Sequence, residues 1–344
     1  MTRVDDLKAL MAEINKKHGE HTVVLASAVT DMVPRIPSGS LGLDLILGGG
    51  WPANQWVELI GDESSGKSAV ALKTVAANQD RDPDFTTVWV AAEKWVSEYA
   101  QMCGVDLERV AVVETNDMET AYDMAIKFAE SRSVDCIVID SLPALVPAAE
   151  DDKEMEGATV GRGALLTGKF FRKVGKATKR SLVEVERPVL GIMINQWRQK
   201  IGVMYGDNRT TPGGLGKNYA YFVRVEIRRS DWIEHGSGQD KERIGQSISL
   251  RTIKNKTAPA QRVAVVDFYF APGGSVLPGD YDTAKEVASL AIMEGIIERK
   301  GAFYKYGEQK WQGQAALLAA IREDLGLYEG LAKEVKVILS VGMR

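Results

Sequence analysis

Gly61-Asp62-Glu63-Ser64-Ser65-Gly66-Lys67-Ser68 matches the phosphate-binding pattern G-x-x-x-x-G-K-[ST] at every required position. The flanking residues suit that pattern. Trp56-Val57-Glu58-Leu59-Ile60 reads as a short buried strand entering the loop, and Ser68 to Ala76 reads as the helix leaving it. Glycines let the backbone curl until successive amides and the helix N-terminus face an anion. Lys67 then reaches the terminal phosphates, and the Ser68 hydroxyl is placed to ligate Mg²⁺. The sequence is that of a nucleotide-binding protein.

Outward from the loop, strand and helix signals alternate from about residue 33 to 270, which predicts an α/β fold with a mainly parallel central sheet. Strands are expected at Val57–Ile60, Thr87–Ala91, Val110–Val113, Cys136–Ile139 and Val189–Ile194. Later runs at Tyr221–Arg228, Gln246–Ile253 and Val263–Phe270 alternate more and predict antiparallel additions. Three polar residues fall at strand ends. Asp140 closes Ile137-Val138-Ile139 and can hold the Mg²⁺ shell. Glu93 closes Val88-Trp89-Val90-Ala91-Ala92 and is placed to deprotonate an attacking water, a solvated strand-end glutamate being the alternative. Gln196 follows Ile192-Met193-Ile194-Asn195 and can sense a γ-phosphate. From Trp197 to Asn218 runs a long glycine-rich stretch carrying Arg198, Lys200, Arg209 and Lys217. A flexible basic loop beginning at a phosphate sensor suits nucleic-acid contact gated by nucleotide; a plain surface loop is the other reading.

The ends differ from the middle. Residues 4–18 read as an amphipathic helix with Leu7, Leu10, Met11 and Ile14 on one face, followed by a strand-like run at His21–Leu25. Such a segment buries little alone, so it packs on the body or docks on a neighbouring subunit. Past Ala271-Pro272-Gly273-Gly274-Ser275 helical periodicity in Thr283–Glu298, an aromatic stretch at Gly301–Gly307 and two further helices suggest a separate small domain. With 344 residues, 45% hydrophobic and 26% charged, the composition is that of an ordinary globular protein with no membrane-spanning run. The net charge of −4 gives no global nucleic-acid signal, although a local basic groove suffices. Two cysteines and three histidines form no metal-ligand spacing, and no signal peptide opens the chain, so a cytoplasmic location is expected.

Together these pieces resemble the RecA family of recombinases. The resemblance rests on the phosphate loop, on Val138-Ile139-Asp140-Ser141, on Ile194-Asn195-Gln196 with Lys200-Ile201-Gly202-Val203-Met204-Tyr205-Gly206, and on Ile253-Lys254-Asn255-Lys256. Ile36-Pro37-Ser38-Gly39-Ser40-Leu41-Gly42 and Lys300-Gly301-Ala302-Phe303-Tyr304 extend it to roughly residues 4–336. It implies a RecA-type ATPase core over residues 33–274, an N-terminal polymerisation helix and strand over 1–32, and an α+β C-terminal domain over 275–344. The implied protein forms helical homo-oligomeric filaments on single-stranded DNA, pairs that strand with double-stranded DNA, and hydrolyses ATP with Mg²⁺ between protomers. Gly61, Asp62, Glu63, Ser64, Ser65, Gly66, Lys67, Ser68, Ala69, Tyr99 and Asp140 would bind the nucleotide, with Ser68 and Asp140 at the metal. Glu93 would be the base and Gln196 the sensor, while Lys254 and Lys256 would reach a neighbour's γ-phosphate. Gly161, Arg162 and Gly163 would end a first DNA loop, followed by Arg172 and Lys173 on its helix. Trp197, Arg198, Lys200, Met204, Tyr205, Arg209, Gly213, Gly214 and Lys217 would form the second.

Departures from the family pattern accompany the likeness. Ala91 stands where an acid is usual, the first DNA loop is shorter, and the lysine at 217 is displaced by one position. These point to a divergent or phage-borne member of the family, expected in the cytoplasm of a bacterium or of a phage's host. Two other functions share the core: a ring-forming DNA motor, and a nucleotide-gated DNA-binding mediator with little hydrolysis.

Overall fold

A computed structural model describes residues 2–29, 34–151, 161–178, 187–200, 206 and 208–341. Its centre is an eight-stranded sheet. In chain order the strands are β1 (Gln55–Gly61), β2 (Thr87–Ala91), β3 (Val110–Glu114), β4 (Cys136–Asp140), β5 (Leu190–Gln196), β6 (Val223–His235), β7 (Glu242–Asn255) and β8 (Val263–Tyr269). Across the sheet they lie in the order β8-β7-β6-β1-β5-β4-β2-β3. Neighbours from β6 to β3 pair parallel, whereas β7 and β8 add antiparallel at the other edge. The expected mainly parallel sheet is therefore present, but of the three later runs only β7 and β8 are antiparallel additions. The first, β6, joins β1 in parallel because its Val223–Ile227 half continues the buried centre of the sheet.

Alternation along the inner strands builds two cores, because successive side chains point to opposite faces. Val57, Leu59, Val138, Ile192 and Ile194 enter one core with the helix Lys67–Gln79. Trp56, Ile137, Ile139 and Met193 enter the other with the helices Met118–Ser131 and Arg162–Ala177. Trp56 lies edge-on to Phe170, with ring centroids 5.0 Å apart. It also fixes Gly191, where a Cβ would come within 2.3 Å of the indole.

Two other expectations change. His21–Leu25 is not a strand; Val23 is instead held by the Asn15 side chain, which donates to its carbonyl at 2.9 Å and accepts from its amide at 2.8 Å. A strand needs a neighbour to pair with, and among the described residues this segment has none. The stretch after Gln196 is also less irregular than its composition predicts. Arg198–Gln199 pairs antiparallel with Arg209–Thr210, and Gly216–Ala220 is a short helix.

Beyond residue 282, the helices Thr283–Met293, Gln314–Glu323 and Leu325–Val341 enclose a third apolar cluster beside a three-stranded sheet. Glu286 ties this region to the core. It is 6% exposed and accepts from the Leu41 and Gly42 amides, both at 3.0 Å, and from the Ser40 hydroxyl. It thereby satisfies free donors at the start of the helix Leu41–Leu47. Burial outweighs these hydrogen bonds and pushes its carboxyl up to about 7 from the usual 4.5. The folded chain then keeps a proton that the unfolded chain releases as pH rises through that window, so stability falls with rising pH, by at most about 3 kcal/mol. Glu286→Gln is expected to flatten this dependence. Urea unfolding at pH 5 and pH 8 checks it, and an unchanged pH difference in the variant would show that other groups carry it.

Candidate functional site

The carboxyl ends of β1, β2, β4 and β5 converge on one cavity of about 520 Å³. Gly61 ends β1, and a Cβ there would lie 2.3 Å from the Ile227 carbonyl oxygen, so the tight exit requires glycine. The loop then passes through left-handed conformations at Ser64 (φ 55°) and Gly66 (φ 99°) before the helix starts at Lys67. This turns the helix N-terminus and its free amides toward the cavity.

Lys67 is 8% exposed and donates to the Asp62 carbonyl at 2.6 Å. Burial holds its ammonium below the ordinary lysine range, with Asp140, Glu93, Asp62 and Glu63 opposing that shift. Ser65 Oγ is buried with no hydrogen-bond partner among the described residues. A loop with an unpaired buried hydroxyl and a lysine turned onto its own backbone fits an anion. Ser68 donates to Asp140 Oδ2 at 2.8 Å. Burial pushes the Asp140 carboxyl up to about 6, and the nearby Glu93 adds to the effect. A hydroxyl and a carboxylate side by side are the hard oxygen donors that Mg²⁺ takes, with phosphates and water completing its shell.

Glu93 lies two residues past β2, its amide donating to the Asp140 carbonyl at 3.2 Å. Its Oε1 accepts from Ser141 Oγ at 2.6 Å, which aims the carboxylate into the cavity's mouth. Gln196 ends β5 directly opposite Gly61 in the sheet register. Tyr99 completes the expected set on the cavity wall, its hydroxyl pushed to a high pKa by burial. Ser64 to Ala69, Glu63, Glu93, Tyr99, Asp140 and Gln196 thus share one cavity. Gly61 and Asp62 serve it through backbone geometry.

Trp232, Gln246, Phe268 and Phe270 also line this cavity without having been singled out in the sequence. Trp232 is on β6, Gln246 on β7 and Phe268 on β8, with Phe270 just past it, all remote from the loop in the chain, and the only signal was the aromatic end of the run Val263–Phe270.

Lys254 and Lys256 are not in the cavity. Lys254 donates to the carbonyls of Asn218 and Tyr221, both at 2.6 Å, and Lys256 to that of Tyr219 at 3.4 Å. Burial, helped by Lys256 and Arg224, pulls the Lys254 ammonium down to about 8.

The basic residues divide. Arg162, Arg172 and Lys173 are exposed on the helix Arg162–Ala177, with Gly161 as its left-handed cap and Gly163 in its first turn. Arg198 and Lys200 are exposed at the start of the second loop. Arg209 stacks over Trp197 at 4.6 Å and donates to Glu226 at 2.7 Å, so the loop is clasped at its base. Gly213 and Gly214 adopt left-handed conformations, against Leu142 and Ala164 respectively. Met204 and Tyr205 lie outside the described residues. Lys217 departs from expectation. It is 1% exposed and pairs with Glu58 in the interior, so its ammonium does not face the surface where DNA would lie.

The family profile described as RecA N-terminal domain matches residues 5–275. The chain belongs to the RecA family. It is 35% identical to Protein RecA of Lactococcus lactis subsp. cremoris strain MG1363 over 330 residues, 95% of this chain and 81% of that protein. Protein RecA of Lactobacillus johnsonii is 35% identical over 344 residues, covering 98% and 90%. That of Enterococcus gallinarum is 33% identical over 340 residues, covering 98% and 92%. DNA recombination and repair, with ATP and DNA as ligands, are the province of the RecA family. Among the described residues no helix is long and apolar enough to cross a membrane.

Proposed function

We propose that this chain is an ATP-dependent recombinase that assembles as a helical filament on single-stranded DNA and exchanges strands with a homologous duplex. The observation that carries the reading is the adjacency of sensor and loop. Gln196 lines the phosphate cavity, and the very next residue, Trp197, opens the basic loop. A hydrogen bond from Gln196 to a γ-phosphate would therefore bias the segment that grips DNA, and a contact that ATP strengthens toward DNA must let DNA strengthen ATP binding.

In this reading Lys67 and the loop amides bind the triphosphate, and Ser68 and Asp140 hold Mg²⁺, whose charge offsets that of the phosphates. Glu93, steered by Ser141, takes the proton of the attacking water. Lys254 and Lys256 serve a neighbouring protomer's nucleotide, which accords with their absence from the lining of their own cavity. The exposed apolar residues Val4, Leu7 and Leu10 on the first helix suit docking onto that neighbour. Division into segments 1–32, 33–274 and 275–344 belongs to the same proposal, as does a cytoplasmic location.

The test is ATP hydrolysis with and without single-stranded DNA, with the same samples viewed by negative-stain microscopy. Strong stimulation with helical filaments is expected. DNA-independent hydrolysis with rings would replace this reading by a motor, and filaments with negligible hydrolysis would leave a DNA-binding mediator.

A further inference from the structure

Lys217 and Glu58 are both fully buried, and such a pair costs desolvation energy unless every donor and acceptor is matched. Here they are matched. Lys217 Nζ donates to Glu58 Oε1 at 3.1 Å, Thr211 Oγ1 at 2.5 Å and Asn218 Oδ1 at 2.9 Å, using all three of its protons. Glu58 Oε1 also accepts from Asn195 Nδ2 at 2.7 Å, while its Oε2 accepts from Arg224 Nε at 2.6 Å. Asn195 in turn accepts from the Gln196 amide at 2.9 Å and donates to the Pro212 carbonyl at 3.3 Å.

The placement of these groups matters more than their number. Glu58 is on β1, three residues before Gly61 of the phosphate loop. Asn195 immediately precedes the sensor on β5, opposite Ile60. Thr211 and Pro212 lie where the basic loop returns to the body, and Lys217 is the second residue of the short helix Gly216–Ala220 at its end. One fully paired interior cluster therefore joins the strand feeding the phosphate loop, the backbone of the sensor and the exit of the basic loop. Satisfied buried networks of this kind rigidify what they connect.

We propose that Lys217 is a positioning residue, holding the exit of the Trp197–Asn218 loop to the strands that carry the phosphate loop and Gln196, so that nucleotide occupancy and DNA grip change together. The inference rests on the ATP-gated DNA-binding function proposed above and assigns this chain's displaced lysine a role inside the protein rather than on DNA. A pair that merely stabilises the fold would, when broken, lower the melting temperature and leave the coupling between ligands untouched.

The experiment uses the full chain and two ratios: ATP turnover with and without single-stranded DNA, and single-stranded DNA affinity with and without a non-hydrolysable ATP analogue. Lys217→Met keeps the length of the side chain and removes its charge. It is expected to reduce both ratios about tenfold. Thr211→Val keeps the ion pair and removes only the loop-side acceptor, with an expected reduction of about threefold. Folded Lys217→Met with unaltered ratios would overturn the proposal. Should that variant fail to fold, unaltered ratios in Thr211→Val would overturn it instead. A wild-type chain in which both ratios are near one would defeat the functional reading itself, a result visible before any variant is made.

Discussion

Glu93→Gln is expected to slow ATP turnover by about 10²–10⁴-fold, the usual contribution of a positioned general base, while ATP and DNA binding persist. The substitution is nearly isosteric. Its amide oxygen can still accept from Ser141 Oγ, the contact that fixes the native carboxylate at 2.6 Å, so the side chain stays in place. What disappears is basicity and one negative charge. Loss of that charge removes a repulsion felt by Asp140, whose carboxyl Glu93 helps to push up, so nucleotide affinity should hold or improve. The two effects separate in single-turnover kinetics: ATP binding and filament formation proceed, and phosphate release stalls. Filaments that persist in ATP as they do with a non-hydrolysable analogue would follow. Turnover within a few-fold of wild type would remove Glu93 from the role of base and leave it a solvated strand-end residue.

The nucleotide cavity was legible because its chemistry is written in contiguous residues. A phosphate loop needs glycine, lysine and a hydroxyl at fixed spacing, and apolar strands ending in Asp140, Glu93 and Gln196 deliver polar groups to the same sheet edge. What escaped depends on contacts distant in sequence. Trp232 and Phe270 reach the cavity only because β6, β7 and β8 extend the sheet beside β1. The run at His21–Leu25 has strand composition but, among the described residues, no strand that pairs with it. Lys217 is the sharpest case. A lysine among glycines reads as a surface cation, and it is the carboxylate of Glu58, 159 residues away, that lets its charge turn inward. Composition identifies a basic loop, but which of its charges face solvent is decided by the carboxylates that the fold places beneath it. Glu226 does the same to Arg209, drawing it from the loop surface to the base of the clasp with Trp197.

Lys67→Ala is expected to weaken ATP binding by about 10²–10³-fold, within the range for truncating one partner of a buried, hydrogen-bonded charge pair. The electrostatic setting makes this loss severe. Asp62, Glu63, Glu93 and Asp140 all act on the Lys67 ammonium, so without it the cavity presents carboxylates to a triphosphate. The same variant should not be less stable in the absence of nucleotide. Burial holds the Lys67 ammonium below its ordinary range, which means the folded state disfavours its charge, and alanine removes that cost. Wild type and variant should then melt alike without ligand and diverge when ATP and Mg²⁺ are added, since only wild type gains the stabilisation that tight binding confers. Nucleotide-dependent DNA binding and strand exchange should vanish together in the variant, because under the proposed function Gln196 would report only a phosphate that the loop has first captured. Strand exchange at the wild-type level with Lys67→Ala would break this chain at its first link and count against the whole scheme. A variant that melts far below wild type without nucleotide would instead show that Lys67 supports the loop's own fold, through its bond to the Asp62 carbonyl, more than it serves the ligand.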